Sequence, residues 1–148
     1  MTQLEIIVGS QMGSAEYVAD QLKEALESQG VVANLHEQPD LAQCEHDHWL
    51  IVTSTYGAGD YPENLLPFID QVNQQSSLSS KQFAVVGLGD TSYDTYNHAA
   101  KNIAQLLVDK GATNLLPVLE INVLDEALPE DTALSWLPQF SNALTVSQ

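Results

Sequence analysis

Arginine is missing from this chain of 148 residues, and four lysines stand against 20 aspartates and glutamates, a formal net charge of −16. Phosphate contacts to nucleic acid come largely from Lys and Arg, so no nucleic-acid partner is expected. The same lack removes a small tyrosine phosphatase, whose Cys-x5-Arg loop needs an arginine. The single cysteine, Cys44, excludes an internal disulfide and suits a reducing compartment, so the cytoplasm is the expected location. No apolar run approaches the roughly 20 residues of a membrane span. The N-terminal stretch MTQLEIIVGSQ carries no basic leader, so neither a signal peptide nor a membrane partner is expected.

What is present is ordinary hydrophobic content, 44%, in a regular pattern that argues against disorder. One domain over residues 1–148 is expected. Apolar runs at 4–8, 31–35, 49–52, 83–88 and 115–124 read as strands, the last open to interruption at Pro117. Between them, Ala15, Val18, Ala19, Leu22 and Leu26 follow helical spacing, with Gly30 where a cap belongs. A second helix is expected over 62–72 and a third around Ala100, Ile103, Ala104 and Leu107, closed by Gly111. A last helix spans PEDTALSWLPQFSNAL, where Pro138 should kink it or shift its start. The alternation predicts an α/β fold: a flavodoxin-like three-layer sandwich, its five-stranded parallel sheet in the order 2-1-3-4-5 with helices on both faces.

In that order the loops after strands 1, 3 and 4 meet at one edge. They read GSQMGSAE (9–16), STYGAGDYPEN (54–64) and GLGDTSYDTYN (87–97), rich in glycines and hydroxyls. Backbone N–H groups at a helix start can hold a phosphate. The first loop has no lysine, so it is not the nucleotide-hydrolysing GxxxxGK[ST] motif, and it lacks the GxGxxG spacing. Alone it is equally a tight turn. Tyr56 and Tyr93 lie across the same crevice and suit a flat heteroaromatic ligand, although a lone tyrosine more often covers an apolar edge. A planar ring with a phosphate tail, the shape of flavin mononucleotide (FMN), satisfies the set.

GSQMGSAE resembles the phosphate loop GSQTGTAE of the flavodoxin domains in diflavin reductases. STYGAGDYPEN is similar to their ATYGEGDPTDN, and GLGDTSYDTYN to their GLGNKTYEHFN. AEYVADQL, STYGAGDYPENLLPF, SYDTY and INVLDEALPEDTALSWL resemble stretches that mark MioC-type, free-standing short-chain flavodoxins. The resemblance implies that Ser10, Gln11, Met12, Gly13, Ser14 and Ala15 hold the FMN phosphate. It implies that Tyr56 and Tyr93 cover the two ring faces and that Gly57 meets the flavin N5. Ser54, Thr55, Leu88, Gly89, Asp90 and Asn97 then line the site, and Asp125 contacts it from the loop after the last strand. Met12 stands for a threonine and Asp90 for an asparagine, which implies weaker FMN binding than is usual in the family.

The resemblance further implies a one-electron carrier, not an enzyme with a substrate of its own. Its donor would be a basic flavodoxin/ferredoxin-NADP-type reductase, and its acceptor would dock on an acidic rim of Asp60, Glu63, Asp94 and Glu126. A second electron would leave the ring anionic beside those acids, which predicts a strongly reducing couple. A monomer is the expected form. The alternative is a stand-alone FMN-dependent reductase of quinones or dyes. A receiver domain fails, because its acidic pair, aspartate and lysine are replaced by Gly9-Ser10, Ser54-Thr55 and nothing beyond Lys110. Cys44-Glu45-His46-Asp47-His48 offers metal-ligand types but reads as a solvated turn. His36 and His98 show no partner in the sequence, and Tyr17 reads as surface.

Overall fold

A computed structural model describes residues 2–10, 14–55, 61–89, 97–124 and 126–146. Strand β1 (Gln3–Gly9) leads into helix α1 (Ser14–Ser28), then β2 (Val32–His36) and a 3-10 turn at Leu41–Gln43. Strand β3 (His48–Ser54) is followed by a second 3-10 turn (Glu63–Leu65), α2 (Leu66–Asn73) and β4 (Gln82–Gly89). Helix α3 (His98–Asp109), the short strands β5 (Thr113–Asn114) and β6 (Leu119–Asn122), and α4 (Pro129–Val146) complete the order.

All pairings are parallel, in the order β2-β1-β3-β4-β5, with β6 also on β4. Period-two alternation divides the central strands between two cores. Leu4, Ile6, Val8, Leu50, Val52, Ala84 and Val86 face one way and pack with the α1 stripe and with Ala133, Trp136, Leu137 and Phe140 of α4. Ile7, Trp49, Ile51, Phe83 and Val85 face the other way, against Phe68, Ile69 and Val72 of α2 and Ile103 and Leu107 of α3. Strands covered on both faces explain the nearly unbroken apolar runs. Trp49 meets Phe68 edge-on at 5.6 Å, and Trp136 stacks on Phe140 at 5.4 Å.

Helix ends follow their punctuation. Gly30 takes φ +90° after α1 and Gly111 φ +96° after α3, left-handed turns that glycine adopts at little cost. The fifth strand expected from the sequence is two pieces, β5 and β6, both on β4. Pro117, which has no N–H to give a ladder, lies in the gap. The start of α4 is not shifted by Pro138. The helix begins at Pro129, a position where proline is favoured, and continues through an exposed Pro138 to Val146.

Candidate functional site

The C-terminal ends of four neighbouring strands lie level. Gly9 of β1 is opposite Thr53 of β3, Ser54 is opposite Leu88 of β4, and Gly89 is opposite Asn122 of β6. Level ends bring Ser10, Ser54, Thr55, Leu88 and Gly89 to one edge of the sheet. Ser14 opens α1, and Ala15 behind it is fully buried. Gln11, Met12, Gly13, Tyr56, Gly57, Asp90, Tyr93 and Asp125 lie outside the described residues, as do Asp60 and Asp94 of the expected rim. Glu63 and Glu126 are both exposed.

Asn97 is the unusual residue of this edge. Its backbone is left-handed, φ 54° and ψ 24°, the only non-glycine with positive φ among the described residues. It occupies the cap position of α3 without capping it, since its side chain makes no hydrogen bond there. The capping bond comes instead from Thr55, whose Oγ1 accepts the Ala99 N–H at 3.0 Å. The Asn97 amide turns toward β4, where a Cβ on Gly87 would stand 2.7 Å from its Oδ1 and one on Gly89 2.9 Å away. Those two glycines leave the space that the amide fills. Both polar atoms of the side chain are buried and without a hydrogen-bond partner among the described residues. An unsatisfied buried amide costs about 1–3 kcal/mol, and such strain concentrates at ligand sites.

No lysine is free to serve an anion here. Lys23 pairs with Glu27 at 3.0 Å, and Lys101 pairs with Glu120 at 2.9 Å. Lys81 donates to the carbonyls of Cys44, Glu45 and His46 and lies 5.3 Å over the Trp49 ring. Lys110 donates to the carbonyls of Asn73 and Gln75. With no arginine in the chain, an anion at this edge has backbone N–H groups and hydroxyls for partners.

One buried charge was not foreseen. Glu5 of β1 is 1% exposed. Its carboxylate bonds His36 Nε2 at 3.0 Å through one oxygen and His46 Nδ1 at 2.8 Å through the other. His36 therefore has a partner, contrary to the sequence reading, because the β1–β2 pairing brings it beside Glu5. Burial raises the Glu5 pKa, but hydrogen bonds from His36, His46 and Asn34 outweigh it and leave the carboxyl below its ordinary range. A lone acid within an apolar strand was the available signal. Neighbouring Cys44 is buried, and burial pushes its thiol up to about 12. Among the described residues no group of His, Cys, Asp and Glu is arranged to hold a metal.

A doubly wound parallel sheet with a helix start, buried hydroxyls and an orphaned amide at its carboxyl edge describes a cofactor-binding domain. The flavodoxin family profile matches residues 6–136, and the chain belongs to that family. It is 44% identical over 141 residues to the Haemophilus influenzae "Protein MioC homolog", covering 94% of this chain and 97% of that protein. It is 31% identical over 148 residues to the Vibrio parahaemolyticus "Sulfite reductase [NADPH] flavoprotein alpha-component", covering 97% of this chain but 24% of that longer protein. The solved structure of a cysteine-to-alanine mutant of Pseudomonas aeruginosa flavodoxin superimposes with a TM-score of 0.89 at 30% identity, covering 97% and 99% of the two chains.

Flavodoxins bind FMN. The described residues fit that group. The edge offers hydroxyls, the first turn of α1 has unpaired N–H groups by geometry, and Asn97 presents a donor and an acceptor that nothing else described uses. No described helix is long and apolar enough to cross a membrane.

Proposed function

We propose that this chain is an FMN-binding carrier of single electrons between a basic NADPH-dependent reductase and an acceptor enzyme. The orphaned, fully buried Asn97 amide beside level strand ends carries the reading. A folded chain keeps such a group where a ligand completes its bonding. Bound FMN supplies one-electron chemistry, and the chain's part is to hold it, keep water from it and set the charge around it.

Ser10, Gln11, Met12, Gly13, Ser14 and Ala15 hold the phosphate, chiefly through N–H groups at the start of α1. Ser54, Thr55, Leu88, Gly89, Asp90 and Asn97 line the ring and side arm, Tyr56 and Tyr93 flank the ring, Gly57 faces N5 and Asp125 closes the site. Asp60, Glu63, Asp94 and Glu126 form the rim on which both partners dock. Support for a basic reductase as donor comes from the net charge of −16 and from the likeness to a segment of a reductase flavoprotein. The chain acts as a single-domain monomer in the cytoplasm and turns over no substrate of its own.

Titrating the apoprotein into FMN while following flavin fluorescence, then reducing the complex stepwise without oxygen, tests the reading. Saturable quenching and two resolved one-electron steps are expected. A single two-electron step with rapid turnover of a quinone would replace the carrier by a reductase. Absence of saturable uptake would overturn the cofactor assignment.

A further inference from the structure

Strand β2 ends at His36, opposite Ile7 of β1, so the β2 side of β1 has no strand partner beyond that point. The first residue after β1 is Ser10, where the proposed phosphate loop begins. In a parallel ladder, the residue opposite position i donates to the carbonyl of i−1 and accepts from the N–H of i+1. Opposite Gly9 those two bonds exist, and the side chain of Asn64 makes them. Its Nδ2 donates to the Val8 carbonyl at 2.7 Å, and its Oδ1 accepts the Ser10 N–H at 2.9 Å. The Asn64 amide stands in for a missing strand residue. A second bond from Nδ2 reaches the Glu37 carbonyl at 2.8 Å and ties the end of β2 to the same point.

The clasp is held from below. Asn64 lies in the 3-10 turn Glu63–Leu65, and Leu65 is fully buried in the core against the α2 face of the sheet. Gly9 permits the approach, since a Cβ there would collide with the Thr53 hydroxyl and stand 3.0 Å from Leu65 Cδ2. On its open side a cleft of about 470 Å³ is lined by Ser10, Gln38, Glu63 and Asn64. A side-chain amide suits the clasp because it carries a donor and an acceptor in one plane, as a peptide group does. Aspartate has nearly the same shape but lacks the donor.

We propose that Asn64 is a positioning residue for phosphomonoester binding. It extends the β1 ladder by one residue and so fixes the direction in which the loop from Ser10 to Ala15 leaves the sheet. It does not touch the ligand; it engages the Ser10 N–H and aims the groups that follow. The inference rests on the flavodoxin reading of that loop, and its test separates the two.

Dissociation constants for FMN and for riboflavin, which lacks the phosphate, are measured for the wild-type apoprotein and for Asn64→Asp. Positioning predicts at least a tenfold loss of FMN affinity with less than a threefold change for riboflavin. Equal losses for both ligands would reduce Asn64 to a structural role and overturn the proposal. Asn64→Ser, which removes the amide without adding charge, supplies the same comparison if Asn64→Asp does not fold. In the free wild-type protein, the Ser10 amide should exchange slowly with solvent, and inorganic phosphate should shift the amide resonances of residues 10–15. Fast Ser10 exchange overturns the clasp whatever the ligand data say. Should the wild type discriminate poorly between FMN and inorganic phosphate while Ser10 stays protected, the FMN reading fails and the clasp stands.

Discussion

The hydroxyl of Thr55, one residue past the end of β3, accepts a hydrogen bond from the N–H of Ala99 in the first turn of α3, 44 residues away. A helix usually takes that bond from its own cap residue. Here the cap residue is Asn97, whose amide is turned to the strand ends, and a neighbouring strand supplies the acceptor. The device frees one polar side chain for the site without leaving the helix start unsatisfied. Thr55→Val keeps the shape and removes the acceptor, so it should cost about 1 kcal/mol. Thr55→Ser should retain most of that. Urea denaturation of the apoprotein reads both.

The space between β4 and α3 has no slack. A Cβ on Gly87 would stand 2.6 Å from the Ala100 Cβ, which cannot rotate away, and 2.7 Å from Asn97 Oδ1. Gly87→Ala should destabilise the protein by about 1–3 kcal/mol through overpacking. Gly89→Ala meets the same amide and the Asn97 backbone without the Ala100 clash, so its effect should fall more on FMN binding than on stability. Thermal melts of apoprotein and complex distinguish the two. A Gly87→Ala protein as stable as wild type would show that α3 can shift away from the sheet.

Glu5 ties stability to pH with a defined sign. Burial raises its pKa, and the bonds from His36, His46 and Asn34 more than reverse this, leaving it below the ordinary 4.5. A carboxyl whose folded value lies below its unfolded value contributes fully above the unfolded value. That contribution is lost as pH falls through the folded one. Wild type should therefore lose its advantage over Glu5→Gln on acidification below pH 4.5 and hold it above. Urea midpoints across that range measure the difference, which cancels the acids common to both proteins. A difference that does not change with pH would mean that the Glu5 carboxylate is not what binds the two histidines.

Cys44 should be inert in the folded protein. Burial is the main cause of its raised pKa, Glu5 and Asp40 add to it, and Lys81 opposes, leaving the thiol at about 12. Since only the thiolate alkylates, iodoacetamide at roughly pH 8 should leave the native chain unmodified and label one site after denaturation. Mass spectrometry reads the outcome, and rapid labelling of the native chain would show that the region around Cys44 opens.

Much of the fold was legible because its signals are local. The helical stripe from Ala15 to Leu26 and the runs at Trp49–Val52 and Phe83–Leu88 state their own secondary structure, and alternating strand and helix imply the parallel sheet. The strand ends from which the three glycine-rich stretches leave were legible for the same reason. Each stretch is a contiguous motif, and a parallel sheet sends strand ends to one edge whatever the details.

What the amino-acid sequence determined alone was therefore the order of elements, the two-faced core, the acidity and the absence of any arginine for an anion. The tertiary structure decided which distant polar groups meet. Glu5 finds His36 across 31 residues and His46 across 41, Thr55 finds Ala99 across 44, and Asn64 completes the ladder at Val8 across 56. Hydrophobic periodicity repeats every few residues and can be read along the chain. A hydrogen bond needs two atoms within about 3 Å, and strand register and core packing settle which pairs come that close.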